Sequence, residues 1–246
     1  MQPITSFNSA HGTAVLLLGP PGSGKTVLGC TLFPKTYVFI ADLNFESAKR
    51  YLQKINNIAN IVGIDVGDVD ETGKVIPLSE RYARMFKCLG EAIKDPNVET
   101  IFIDSATFIS DYIMAKLTLA SSIETIPWGK EKGGDYLRVW RSLINQLRTS
   151  GKRFIMSAHE RVLKGVLDDI LQNQVNLWGG IRDNIGAYMS DMWRCEVFSS
   201  GLPNAKTEYR VRVIGNAQNK LKNNFGWEEP FLQQAELIKR VRETIK

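Results

Sequence analysis

The chain has 246 residues, 43% of them hydrophobic and 23% charged, proportions of a folded protein rather than a disordered or fibrous one. Its formal net charge of +5 permits a nucleic-acid partner without requiring one. No run approaches the roughly 18 apolar residues of a membrane span, and the start "MQPITSFNSAHG" lacks the basic-then-apolar layout of a secretory leader; the expectation is a cytoplasmic protein with no membrane partner.

Strand-like apolar runs alternate with amphipathic helical stretches. That pattern predicts an α/β fold with a mostly parallel central sheet flanked by helices, as a single domain over 1–246 with a short N-terminal extension at 1–11. "TAVLLLG" predicts the first strand, leading into a glycine-rich turn and a helix from about Lys25. "TYVFIAD" predicts the second strand, and Asn44 is placed to cap a helix through "FESAKRYLQKI". "NIVGIDV" reads as a third strand, "LSERYARMFKCLGEAIK" as a helix and "TIFID" as the next strand. A helix through "DYLRVWRSLINQLR" and the strand "RFIMSA" continue the alternation. "MWRCEVF" and "EYRVRVIG" predict two antiparallel strands toward the C-terminus. A final helix over about 229–246 would put Phe231, Ala235, Ile238, Val241 and Ile245 on one face. Cys30, Cys88 and Cys195 have no CxxC spacing and are expected as buried thiols.

The most specific motif is "GPPGSGKT": Gly19, Pro20, Pro21, Gly22, Ser23, Gly24, Lys25 and Thr26. It matches G-x-x-x-x-G-K-[ST] between a strand and a helix, a pattern that average composition yields by chance in about 1 chain in 100 of this length. Such a loop turns its backbone N–H groups toward phosphate oxygens at a helix N-terminus. Lys25 is expected to reach the β- and γ-phosphates of ATP and Thr26 to ligate Mg2+. No NKxD follows, so nothing argues for guanine. Asp104, at the tip of "IFID", fits the second acid of a Mg2+-nucleotide site. Many such ATPases place a Glu directly after that Asp, whereas Ser105 stands here. In this the segment resembles RecA-type ATPase cores, which take that carboxylate from the strand after the P-loop helix. The resemblance implies Asp42, at the tip of the second strand, in preference to Glu46, which falls in a first helical turn where an acid is stabilised anyway.

Several segments in order resemble the core of RecA-type recombinases. "IFIDSATFI" resembles their Walker B segment, and "MSAHE" stands where they end a strand in a residue sensing the γ-phosphate, which makes His159 the sensor candidate. "LWGGIRDNIGAYMSDMWRCEV" is similar to the segment closing their second DNA loop. "YRVRVIGNAQNKLKNNFG" resembles the strand and basic segment that reach a neighbour's ATP, so that Lys220 and Lys222 would contact nucleotide across a subunit boundary. Together the matches run over about residues 12 to 227, and a core of this size looks most like the phage-encoded RecA-like single-strand annealing proteins. The resemblance implies a P-loop NTPase fold of RecA-like type, Mg-ATP as cofactor and a DNA-stimulated, slow ATPase. It further implies single-stranded DNA as partner, annealing or strand pairing in homologous recombination as function, assembly into a homo-oligomeric ring or filament, and a single-strand binding protein as a further partner. The first DNA loop would span about 121–135, with Trp128 as stacking platform and Lys130 and Lys132 for phosphates. The second would span about 160–184 with Arg161, Lys164 and Arg182, and Trp178 there reads equally as a base wedge or as core. "FNSA", Phe7 to Ala10, matches a two-residue docking pattern of some recombinases, too common by chance to weigh much.

Two other classes share the P-loop. A motor or helicase-loader ATPase would act with a protein partner and use an arginine such as Arg138, Arg141 or Arg148; an ATP-gated DNA-binding module would hydrolyse little.

Overall fold

The computed structural model describes residues 13–41, 45–54, 58–70, 72–126, 132–165, 170–199 and 207–244. Three mostly apolar runs set its centre: β1 (Ala14–Leu18), β2 (Thr36–Ile40) and β4 (Thr100–Asp104) are buried at every position. Strands that read as continuous apolar runs are those covered on both faces, as in a parallel sheet between helices. They join β3 (Ile61–Val66), β5 (Arg153–Ala158), β8 (Asp191–Phe198), β9 (Glu208–Arg212) and β10 (Phe231–Gln233) in one eight-stranded sheet of order β10-β9-β8-β1-β5-β4-β2-β3. β8, β1, β5, β4, β2 and β3 run parallel, and β9 and β10 add antiparallel strands at one edge.

Alternation along each strand divides the apolar side chains between two cores. Leu16, Phe39, Ile103 and Met156 face α3 (Leu78–Lys94), α4 (Ala106–Thr118), α5 (Gly133–Thr149) and α6 (Gly179–Tyr188). Leu17, Val38, Phe102 and Ile155 face α1 (Lys25–Thr31), α2 (Phe45–Lys54) and α7 (Gln234–Thr244). On this second side Trp193 is fully buried, its ring centroid 5.8 Å from Phe225 and 5.6 Å from Trp227. Cys30, Cys88 and Cys195 are all free and buried, and burial pushes the Cys195 thiol up to about 12, so it stays protonated.

Two segments differ from their sequence reading. The stretch beyond β5, expected as one long loop over 160–184, forms an antiparallel hairpin of β6 (Glu160–Lys164) and β7 (Ile170–Val175), followed by α6. Its polar composition hides the strand period, and cross-strand partners such as Arg161 and Gln174 supply what an apolar face would otherwise provide. The C-terminal helix begins later than expected, because Phe231–Gln233 pairs with Arg210–Arg212 as β10 before the helix starts. Leu237 and Val241 are the fully buried residues of α7, and Phe231 instead packs under the Arg212 guanidinium at 3.9 Å.

Asp111 on α4 is half-buried, and desolvation pushes its carboxyl up to about 6. A folded value raised above the unfolded value of about 3.9 means stability that is complete below about pH 4 and lost as pH rises through about 6. Asp111→Asn is therefore expected to melt with the parent protein at pH 4 and above it at pH 7.5. Equal melting temperatures at pH 7.5 would contradict this.

Among the described residues, no helix is long and apolar enough to cross a membrane.

Candidate nucleotide site

The phosphate loop hangs between the end of β1 and the start of α1. Gly19 adopts φ 143°, and a Cβ there would lie 2.4 Å from the Cys195 carbonyl oxygen, so only glycine lets the chain leave β1 this close to β8. Lys25 is only 7% exposed, and its ammonium donates to the Gly19 and Pro20 carbonyls, each at 2.8 Å. The lysine thus folds back across its own loop and holds the curl whose N–H groups an anion needs.

Thr26, the second residue of α1, reaches over β5 to β4. Its hydroxyl donates to Asp104 Oδ2 at 2.6 Å, and the Ser157 hydroxyl at the end of β5 donates to Asp104 Oδ1. Asp104 is 5% exposed, so its charge is removed from water and both oxygens are met by hydroxyls. A hard carboxylate beside a threonine hydroxyl, both next to a lysine-closed phosphate loop, suits Mg2+. Burial first, and then the Asp104 charge, push the Cys30 thiol upward.

β5 and β4 are tied together again just beyond this point. The His159 backbone amide donates to the Thr107 hydroxyl in the first turn of α4 at 3.0 Å, and the His159 ring stands edge-on to Phe108 at 5.8 Å. Glu160 then opens the hairpin. Its side chain is 6% exposed and takes two hydrogen bonds from Arg194 Nε, at 2.8 and 3.0 Å. Arg194 also donates to Glu196, which accepts in turn from Arg212 at 3.1 Å. Truncating one partner of such a buried pair leaves a charge uncompensated. The far strand of the hairpin is joined to the basic segment: Asn173 Nδ2 donates to Asn219 Oδ1 at 2.9 Å, and the Asn173 amide to the Gln218 carbonyl at 2.8 Å.

The residues singled out in the sequence are thus distributed as follows. Lys25, Thr26 and Asp104 converge, and His159 lies two residues past Ser157 on the same exit. Asp42 lies outside the described residues, although the neighbouring Ala41 amide bonds the Asp104 carbonyl. Glu46 is exposed on α2 and pairs with Lys49 at 3.4 Å. Trp128, Lys130 and the segment Phe7 to Ala10 also lie outside the described residues. Lys132 is exposed at the start of α5. Arg161 bonds Gln174 across the hairpin, Lys164 is exposed at its far end, and Arg182 pairs with Asp183 at 3.1 Å. Trp178 packs edge-on to Tyr136 at 6.4 Å and lies against the core. Lys220 is exposed, whereas Lys222 donates to the Met189 carbonyl at 2.7 Å. Ser157, Thr107, Glu160 and Arg194 were not singled out. Of these, Ser157 alone carried a signal, as a polar residue in an otherwise apolar strand tip.

A family model described as an AAA domain matches residues 11–168, more than half of the chain and the whole of the Lys25–Thr26–Asp104–Ser157 cluster. No curated protein matches the chain.

Proposed function

Since the chain belongs to the AAA domain family, a P-loop fold that implies nucleotide binding and ATPase chemistry, we propose that it is a Mg2+-dependent ATPase that binds single-stranded DNA and promotes annealing or strand pairing. The observation that carries this reading is a pair of hydrogen bonds that tie the end of β5 to β4 and α4 between the metal-side carboxylate and the hairpin. Asp104 is bonded by Ser157, Thr107 by His159, and the next residue, Glu160, begins β6. A change at the γ-phosphate would therefore have a short route, past Ser157, Thr107 and His159, to the β6–β7 hairpin. Lys25 would hold the β- and γ-phosphates, Thr26 and Asp104 the Mg2+ shell, and Asp42 the attacking water. Bound Mg2+ would neutralise charge developing on the phosphates.

Two features support DNA as the ligand. α5 and α6 pack together and each starts with two glycines, Gly133–Gly134 and Gly179–Gly180, so two helix N-termini carry bare backbone where a phosphate chain could approach. Lys132 and Arg182 flank these first turns. The bond from Asn173 to Asn219 links the hairpin to the segment bearing Lys220, which would reach a neighbouring subunit's nucleotide in a ring or filament. A single-strand binding protein would be the further partner.

The test is ATP turnover with Mg2+, with and without single-stranded DNA, run beside fluorescence annealing of complementary oligonucleotides. DNA-stimulated turnover and ATP-dependent annealing are expected. Turnover indifferent to DNA, with no ATP-dependent DNA binding at low salt, would overturn the reading. Duplex unwinding instead of pairing would favour a motor, for which Arg138, 78% exposed at its side chain, offers a contact to a partner.

A further inference from the structure

A phosphate loop fixes where the phosphates of a nucleotide go and leaves open what receives the base. The surface beside Gly24 has one suitable feature. Gly24 has φ 85°, and a Cβ on it would lie 2.6 Å from Gln234 Nε2 and 3.1 Å from Tyr209 Cδ1. The Tyr209 ring and the Gln234 carboxamide therefore rest directly on the loop, and Gln234 Nε2 donates to the Ser23 carbonyl at 3.2 Å. Tyr209 on β9 stands opposite Val197 on β8, while Val211 stands opposite Cys195. By alternation all four share the face toward α1. Cys195 and Val211 are fully buried there, yet Val197 and Tyr209, one step further along the strands, are each 46% exposed.

The other face of the same strand pair is already occupied, with Arg210 over the Phe198 ring at 3.8 Å. No ring or cation covers Tyr209 among the described residues. A half-open apolar shelf that continues a buried core and abuts a phosphate loop matches what a nucleobase needs, a flat apolar surface within reach of its own phosphates.

We propose that Val197 and Tyr209 form the seat of the nucleobase, with Gln234 as a positioning residue that fixes the loop beside it. The proposal rests on the reading of the loop as a nucleotide site. It adds residues beyond 168, outside the span matched by the family model. Stacking on one aromatic ring is strong enough to be read as a change of about tenfold in affinity.

The experiment compares equilibrium binding of ATP and of inorganic tripolyphosphate, both with Mg2+, to the full chain and to Tyr209→Ala, Tyr209→Phe, Val197→Ser and Lys25→Ala. Tyr209→Ala is expected to weaken ATP about tenfold and leave tripolyphosphate unchanged, since the latter carries no base. Tyr209→Phe should bind ATP as the parent does, and Val197→Ser should show a smaller loss confined to ATP. If Tyr209→Ala weakens both ligands equally, the ring supports the loop and the seat is wrong. If it weakens neither, the base lies elsewhere. Lys25→Ala binding both ligands like the parent would overturn the nucleotide reading itself, and the seat with it.

Discussion

Replacing Lys25 by alanine is expected to abolish ATP turnover and to weaken ATP binding by roughly 30- to 3,000-fold. The range follows from the about 2–5 kcal/mol lost when one member of a buried, hydrogen-bonded charge contact is truncated, at about 1.4 kcal/mol per decade. Two losses combine. The phosphates lose a cation, and the Gly19 and Pro20 carbonyls lose the donor that both now share at 2.8 Å. Arginine should not rescue, because a planar fork cannot replace a compact ammonium folded back on two carbonyls in a site 7% exposed. The check is titration with ATP beside a thermal melt without nucleotide. A variant with intact melting and parent-like affinity would show that the loop does not work through this lysine.

Trp193→Ala is expected to have the largest effect on stability, about 3–5 kcal/mol, the cost of emptying a buried indole site. The site cannot collapse easily. Trp193 is paired across the sheet with Leu17, and its ring lies against Phe225 and Trp227, which are themselves stacked at 4.8 Å. Out of a total of about 5–15 kcal/mol for an ordinary protein, such a loss leaves a marginal native state. Urea denaturation gives the value directly. Val75→Ala, at a residue 66% exposed, serves as the comparison and should change stability by less than about 0.5 kcal/mol. A loss at Trp193 no larger than at Val75 would mean that the aromatic cluster contributes little.

Much of the fold was legible because its signals are local. The phosphate loop is contiguous, its flanking strand and helix are marked by runs of like residues, and Asp104 ends a strand with no polar residue after Thr100. The antiparallel pair of β8 and β9 could be read because both runs are short, apolar in alternation and separated by turn residues. What stayed hidden depends on register between distant segments. Ser157 meets Asp104 only because β5 lies beside β4, which no periodicity reports. Glu160 finds Arg194 across 34 residues and one strand. The hairpin of β6 and β7 was missed because "QNQ" in β7 has no apolar face to alternate. β10 was missed because three residues cannot outweigh a helical pattern that continues through them.

The position of β1 has a consequence for how the protein comes off the ribosome. The strand bearing the phosphate loop is made long before its hydrogen-bonded neighbours β5 and β8, at 153–158 and 191–198. At about 5–20 residues per second, the first strand would wait roughly 10–40 s for the eighth to be synthesised. Until β5 has been made a fully apolar segment has neither of its partners, and until β8 follows it has only one. A nascent chain therefore cannot bring Thr26, Asp104 and Ser157 together before β5 has been made, and ATP can stabilise it only after that. Exposure to chaperones and proteases is set by strand order rather than by the order of the motifs along the gene.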